Sequence, residues 1–264
     1  MGAAAGHVLY LFGVYRKIVR KNFEHVNIRT PNETRKIIPK LYRNMGRYTV
    51  DFLRKNTKSL PPHRLCNHDI YTAARAKDKG TIILLAHFGN WELLAAIWGP
   101  QVGCLNVVAK PMRNPLAEEW LHNKRTALSV KTIHTKNALR GMLGAIKSNE
   151  IIAVLIDQNL GKKMGTPAPF LGKTATTVRT VAGLAHKTGA TVVPVYAMLE
   201  NNGKYTINFT KTEPIDMADT DDDAVISAIQ AQHNNIISQW IIEHPEHWFG
   251  WFHRRFKGYV DYRT

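Results

Sequence analysis

A strand-like apolar run from Thr81 ends on His87, and Glu92 follows five positions later where a helical pattern begins, in TIILLAHFGNWELLA. An imidazole held by a carboxylate has its tautomer fixed and the positive charge it gains on proton uptake stabilised. Such a base can deprotonate a hydroxyl near neutral pH. The Gly89-Asn90 turn is short enough to fold Glu92 back toward the ring. The loop holds Phe88, Gly89, Asn90 and Trp91 but no Ser or Cys, so direct attack by a substrate hydroxyl is expected, without a covalent enzyme intermediate. The competing reading is a hydrogen-bonded surface pair at a strand end, because HxxxxE also arises by chance.

The surrounding pattern supplies elements that would position such a pair. TIILLA, CLNVVA, IIAVLI and TVVPVYAML read as strands, with helical patterns over Trp91–Trp98, Pro115–Thr126, Lys136–Lys147 and Thr176–Lys187. Continuous rather than alternating apolar runs indicate strands covered on both faces. The expected fold is therefore α/β, a mainly parallel mixed sheet flanked by helices, with an N-terminal helical cap over residues 1–60 and residues 61–264 as one unit. KYTINFT reads as an edge strand, and Asp219 to Glu243 as a long helix ended near Pro245. Sheets of this class gather ligands at the carboxyl ends of their strands. His87 lies at one such end, and Asp157, Gln158 and Asn159 lie at another, after IIAVLI.

Charge narrows the setting. Thirty-six Lys and Arg against 20 Asp and Glu leave +16 over 264 residues, which calls for a polyanionic neighbour, either nucleic acid or an anionic membrane surface. No nucleic-acid-binding signature is present. No apolar stretch reaches the ~20 residues of a spanning helix. AAAGHVLYLFGVY is followed at once by RKIVRK, and in one helix Val8, Leu11, Phe12, Tyr15, Ile18 and Val19 share a face. That is the pattern of a basic helix lying in a membrane interface, or of a helix packed on its own domain. Cys66 and Cys104 are too few for a thiolate metal site. His244 and His247 in EHPEH are separated by Pro245, so no metal is expected, and ahead of FLGKTATT stands Pro167 where a phosphate-binding loop needs its first glycine. No cofactor is called for.

HFGNWE resembles the H-x4-[D/E] motif of glycerolipid acyltransferases, in the form typical of the lipid A biosynthesis (late, Kdo-dependent) acyltransferase family. VVAKPMRNPLAEEW is similar to that family's Arg-Pro-x-x-Asn-Pro segment. AVLIDQNLGKKMGTPAPFLGKTATT is similar to its Asp-Gln-Asp block, and PEHWFGWFHRRFK to its C-terminal signature. The likeness runs in order from about residue 8 to residue 258.

The resemblance implies a glycerolipid acyltransferase-like fold, with His87 as general base and Glu92 as its orienting partner. The donor would be an acyl carrier protein or acyl-CoA thioester, and the acceptor a hydroxyl of a phosphorylated glycolipid, a lipid A precursor. The site would work at the cytoplasmic face of the bacterial inner membrane. Lys110 stands where the family carries Arg, so either Lys110 or Arg113 would face the oxyanion. Asn90 would orient substrate or close the turn, and Asp157 and Gln158 would shape the site. Lys162, Lys163, Lys173 and Arg179 would hold phosphates, and His253, Arg254 and Arg255 would combine packing with headgroup contact. Two alternatives stay open: another glycolipid acceptor, such as a phosphatidylinositol mannoside, and a non-catalytic basic protein that binds anionic membranes or nucleic acid.

Overall fold

The computed structural model describes residues 1–53, 60–102, 104–159, 161, 165–215 and 221–263. Three helices open the chain, α1 (Gly2–Leu11), α2 (Arg16–Val26) and α3 (Pro31–Leu53). Then come β1 (His63–Cys66), α4 (His68–Arg75), β2 (Thr81–Leu85), α5 (Trp91–Val102), β3 (Leu105–Ala109), α6 (Pro115–Thr126), β4 (Val130–His134), α7 (Ala138–Lys147) and β5 (Ile151–Leu155). A hairpin of β6 (Thr166–Phe170) and β7 (Lys173–Thr177) leads to α8 (Thr180–Thr188), β8 (Thr191–Leu199), β9 (Tyr205–Phe209) and α9 (Asp222–Glu243). Two 3-10 turns, Pro245–His247 and Phe249–Phe252, follow.

Seven strands form one sheet in the order β1-β9-β8-β2-β5-β3-β4. Every pairing in it is parallel except β8 with β9, so the α/β mixed sheet expected from the continuous apolar runs is the observed one. All five residues of β2 are buried, as a central strand covered on both faces requires. β9 is not an edge strand, because His63–Cys66 pairs alongside it and takes the edge. The helix expected from Thr176 begins at Thr180, since Thr176 and Thr177 are paired in the hairpin. The start of the helix expected from Asp219 lies outside the described residues; Asp221 caps it by accepting from the Ala224 N–H at 2.9 Å.

The N-terminal apolar face does not run from Val8 to Val19 as one helix. The chain turns through Gly13 and Tyr15, both in the left-handed region, and α1 and α2 part there. Val8, Leu11, Phe12 and Tyr15 are exposed, whereas Val19 is fully buried. α2 faces the C-terminal segment: Phe23 stacks on Trp251 at 3.9 Å, and Asn22 Nδ2 donates to the carbonyls of Trp251 and His253. α1 lies against α3 through glycines. A Cβ on Gly6 would stand 2.0 Å from the Tyr42 carbonyl oxygen, and one on Gly46 2.1 Å from that of Gly2.

Candidate active site

Strands β2 and β5 pair in parallel with Leu85 opposite Leu155. Two residues further, the same register sets His87 beside Asp157, one strand spacing apart. His87 Nδ1 donates to Asp157 Oδ1 at 2.8 Å. Asp157 Oδ2 accepts from the His87 backbone N–H at 3.0 Å and from Trp248 Nε1 at 2.7 Å. The Asp157 side chain is wholly buried, while that of His87 keeps 18% exposure.

Burial alone would raise the Asp157 carboxyl. The imidazole, its hydrogen bond, the Trp248 indole and the His87 backbone N–H together hold it down to about 2. For His87 burial works against the charged form, but Asp157, with a smaller contribution from Glu92, raises the pKa above the ordinary histidine value. The carboxylate is thus an ionised acceptor at neutral pH, and it fixes the tautomer that leaves Nε2 free to take a proton. In that tautomer Gln158 Nε2 donates to His87 Nε2 at 3.1 Å.

Local chain geometry presents the ring. Gly89 adopts φ +62, and a Cβ there would lie 2.0 Å from the Ala197 carbonyl oxygen, so the turn runs directly against β8. The Gly89 N–H donates to His247 O at 2.9 Å, and the Phe249 N–H donates to His87 O at 2.7 Å. Trp91 meets the imidazole edge-on at 4.8 Å, and Phe249 and His253 complete its surroundings. Asn90 is buried and closes the turn: its Oδ1 accepts from Leu93 N–H and its Nδ2 donates to Tyr205 Oη.

The contact expected between His87 and Glu92 is not formed. Glu92 lies in the first turn of α5 and accepts from Arg125 Nη2 of α6 at 3.1 Å. Main-chain pairing of β2 with β5 brings Asp157 to Nδ1 instead. Glu92 and Arg125 border a small cavity of about 50 Å³ between α5 and the sheet, otherwise walled by apolar side chains such as Leu85, Leu94, Trp98 and Val108.

Lys110 follows the end of β3, the strand beyond β5, and Arg113 lies in the turn before α6; both are exposed. Neither touches His87. Arg179 does not face the site, because it is bound to Asp223 in the first turn of α9 at 2.9 Å. Lys173 is exposed at the hairpin turn, and Lys162 and Lys163 lie outside the described residues. Asn159 donates to the carbonyls of Arg255 and Lys257 and so ties the C-terminal segment to the strand end. Arg255 is a buried strut: it donates to Thr176 O and Thr177 Oγ1 and lies 4.5 Å over the Phe170 ring. Burial lowers its pKa to about 10. His253 and Arg254 instead line an open cleft of about 980 Å³, together with Gln158.

Two participants carried no assigned role in the sequence. Trp248 sits inside the C-terminal block but nothing in its spacing announces a donor to Asp157. Arg125 has no signal, since its partnership with Glu92 depends on how α6 crosses α5. Among the described residues no group of three or more His, Cys, Asp and Glu could hold a metal ion.

The family profile described as bacterial lipid A biosynthesis acyltransferase matches residues 1–258. A lipid A biosynthesis acyltransferase of Haemophilus influenzae is 30% identical over 200 residues, covering 74% of this chain and 60% of that protein. The lipid A biosynthesis lauroyltransferase of Escherichia coli is 30% identical over 188 residues, 69% of this chain and 58% of that protein. A phosphatidylinositol mannoside acyltransferase of Mycobacterium tuberculosis is 23% identical over 185 residues, 68% of this chain and 56% of its own. The matches therefore span only about 60% of the length of the first two relatives. With a profile that covers nearly the whole sequence and relatives at 30% identity, the chain belongs to the bacterial lipid A biosynthesis acyltransferase family.

Proposed function

We propose that this chain transfers a fatty acyl group from an acyl carrier protein or CoA thioester to a hydroxyl of a lipid A precursor. His87 Nε2 takes the hydroxyl proton as the oxygen attacks the thioester carbonyl. The C–S bond then breaks, and the imidazolium returns the proton to the departing thiolate. Asp157 holds the ring through Nδ1 and stabilises the imidazolium. The observation that carries the reading is this pair at adjoining strand ends, with a buried ionised carboxylate behind a partly exposed imidazole. Around the ring stand Gln158, Trp91, Phe249 and His253. No Ser or Cys is among these neighbours, which supports direct transfer without an acyl-enzyme.

Oxyanion stabilisation falls to donors near Nε2. The Gln158 amide is already within hydrogen-bond distance of it, and Lys110 or Arg113 would have to swing in from the neighbouring strand end. Glu92 acts at one remove: its charge favours the imidazolium, and its ion pair with Arg125 joins α5 to α6.

A water-soluble thioester must meet a lipid-embedded acceptor. We assign residues 1–60 to the membrane-associating part and the cytoplasmic face of the inner membrane as its place. Leu11 and Phe12 at the end of α1 are 64% and 81% exposed, and Arg16, Lys17, Arg20 and Lys21 follow at once. Among the described residues no helix is long and apolar enough to cross a membrane. Likeness to the mycobacterial relative supports a second reading in which the acceptor is a different glycolipid.

Mass spectrometry of lipid A precursors incubated with the protein and a panel of acyl thioesters tests the proposal. One added acyl mass on the lipid A precursor is expected. Acylation of a phosphatidylinositol mannoside alone would select the second reading, and no added mass on any acceptor would reject both.

A further inference from the structure

The cleft beside His87 has a composition that acyl transfer by itself does not require. It is lined by Gln158, which touches the catalytic imidazole, and by His253, whose ring centre lies 6.4 Å from that of His87. Arg254, Lys257 and Arg263 also line it, and all three are exposed. Among the described residues lining it, Asp261 is the sole acid. Among the described residues the side chains of these three cations form no hydrogen bond or ion pair, unlike Arg64, Arg125 and Arg179, each of which is paired with a carboxylate.

The segment that carries them is held firmly. Arg255 and Phe256 are buried, so Arg254 and Lys257 on either side stay outside. Asn159 donates to the carbonyls of Arg255 and Lys257. Tyr262 Oη donates to Asn22 Oδ1 at 2.5 Å, and Lys21 Nζ donates to Asp261 O at 2.6 Å. Three cations held on a fixed loop that lines a concave space, with one carboxylate among the described lining residues to balance them, suit a multiply charged oxyanion. Guanidinium supplies a two-pronged donor for phosphate oxygens, and ammonium supplies a point charge.

We propose that Arg254, Lys257 and Arg263 bind a phosphate or diphosphate ester of the substrate whose reacting end reaches His87. The site rests on its own geometry; only the identity of the phosphate's carrier rests on the acyl-transfer reading. Two carriers share the chemistry: the phosphorylated sugar of the acceptor, and the phosphates of the thioester donor's arm.

Isothermal titration with inorganic pyrophosphate at physiological salt tests the site itself. The variant Arg254→Ala/Lys257→Ala, which alters only exposed side chains, is expected to bind about tenfold or more weakly than wild type. The control Lys187→Ala/Lys204→Ala, which removes two exposed cations elsewhere, should bind as wild type does. Equal binding by the cleft variant and wild type, or an equal loss in the control, overturns the proposal.

Steady-state kinetics then identify the carrier. If the acceptor brings the phosphate, the cleft variant raises KM about tenfold for a phosphorylated disaccharide with kcat within about twofold, and leaves KM for the dephosphorylated one unchanged. If the donor brings it, the rise appears with a CoA thioester and not with an N-acetylcysteamine thioester. Equal KM effects on charged and uncharged substrates reject a substrate phosphate at this site. Absence of turnover by wild type counts against the acyl-transfer reading, while the pyrophosphate titration still decides the site.

Discussion

Asp157 takes three hydrogen bonds on two oxygens in a place without water access, and the arrangement makes definite demands on pH. As the proposed general base, His87 would act deprotonated, so kcat/KM should rise with pH through a value above that of ordinary histidine. Asp157→Asn removes the charge that chiefly raises it, leaving burial opposed only by the smaller contribution of Glu92. The rising limb should move to lower pH, and the plateau should fall by about 10²–10⁴-fold, the span of general-base catalysis. A limb that stays in place contradicts the role given to Asp157.

Stability follows the same pair with the opposite signs of the two shifts. The lowered Asp157 contributes stability that is full above about pH 4, its unfolded value, and fades as pH falls toward its folded value of about 2. The raised His87 contributes stability that is full below about pH 6.5 and fades as pH climbs through its folded value. Urea unfolding should therefore show the largest gap between wild type and Asp157→Asn near about pH 5.5, with a smaller gap at about pH 2 and about pH 9.

Among the elements, α5 and α6 are joined by the Glu92–Arg125 ion pair, with side chains 24% and 15% exposed. If Glu92 works through Arg125, then Glu92→Gln and Arg125→Gln should lower kcat by similar factors and the double variant by no more than either. Independent, multiplying effects would show that Glu92 acts elsewhere. The seam between α1 and α3 is steric: Gly6→Leu has no room against Tyr42. It should lower stability by about 1–3 kcal/mol, the usual cost of overpacking, read as a fall in Tm.

These elements differ in how far the sequence announced them. β2, β5 and β8 are legible because central parallel strands need unbroken apolar runs. β1 (HRLC) is short and polar, β4 (VKTIH) is half-exposed, and β6 (TPAPF) carries two prolines, so none reads as a strand. His87 is legible as a strand-end residue. Its partner is not, because the local spacing points to Glu92, while the actual neighbour lies 70 residues away and is selected by the pairing of β2 with β5. Likewise, apolar periodicity continues across Gly13, but the backbone turns there.

On the scale of the whole molecule, an excess charge of +16, the exposed apolar end of α1 and the basic first turn of α2 are the features on which the proposed contact with anionic lipid rests. Leu11→Asp/Phe12→Asp should weaken binding to vesicles containing phosphatidylglycerol by about tenfold or more, since two exposed side chains that enter the bilayer on binding would contribute about 1.5–3 kcal/mol each. Raising salt should weaken the wild type as well, by screening the cations. Vesicle sedimentation that is unchanged in the variant would put the contact elsewhere on the surface.

All three scales meet at one imidazole, which a buried carboxylate orients and a lipid-facing surface would supply with substrate. The rate of acyl transfer to the lipid A precursor by His87→Ala, set against wild type under the same donor and vesicle conditions, tests this most directly. The account predicts a fall to the uncatalysed background with vesicle binding intact; acylation at the wild-type rate would contradict it.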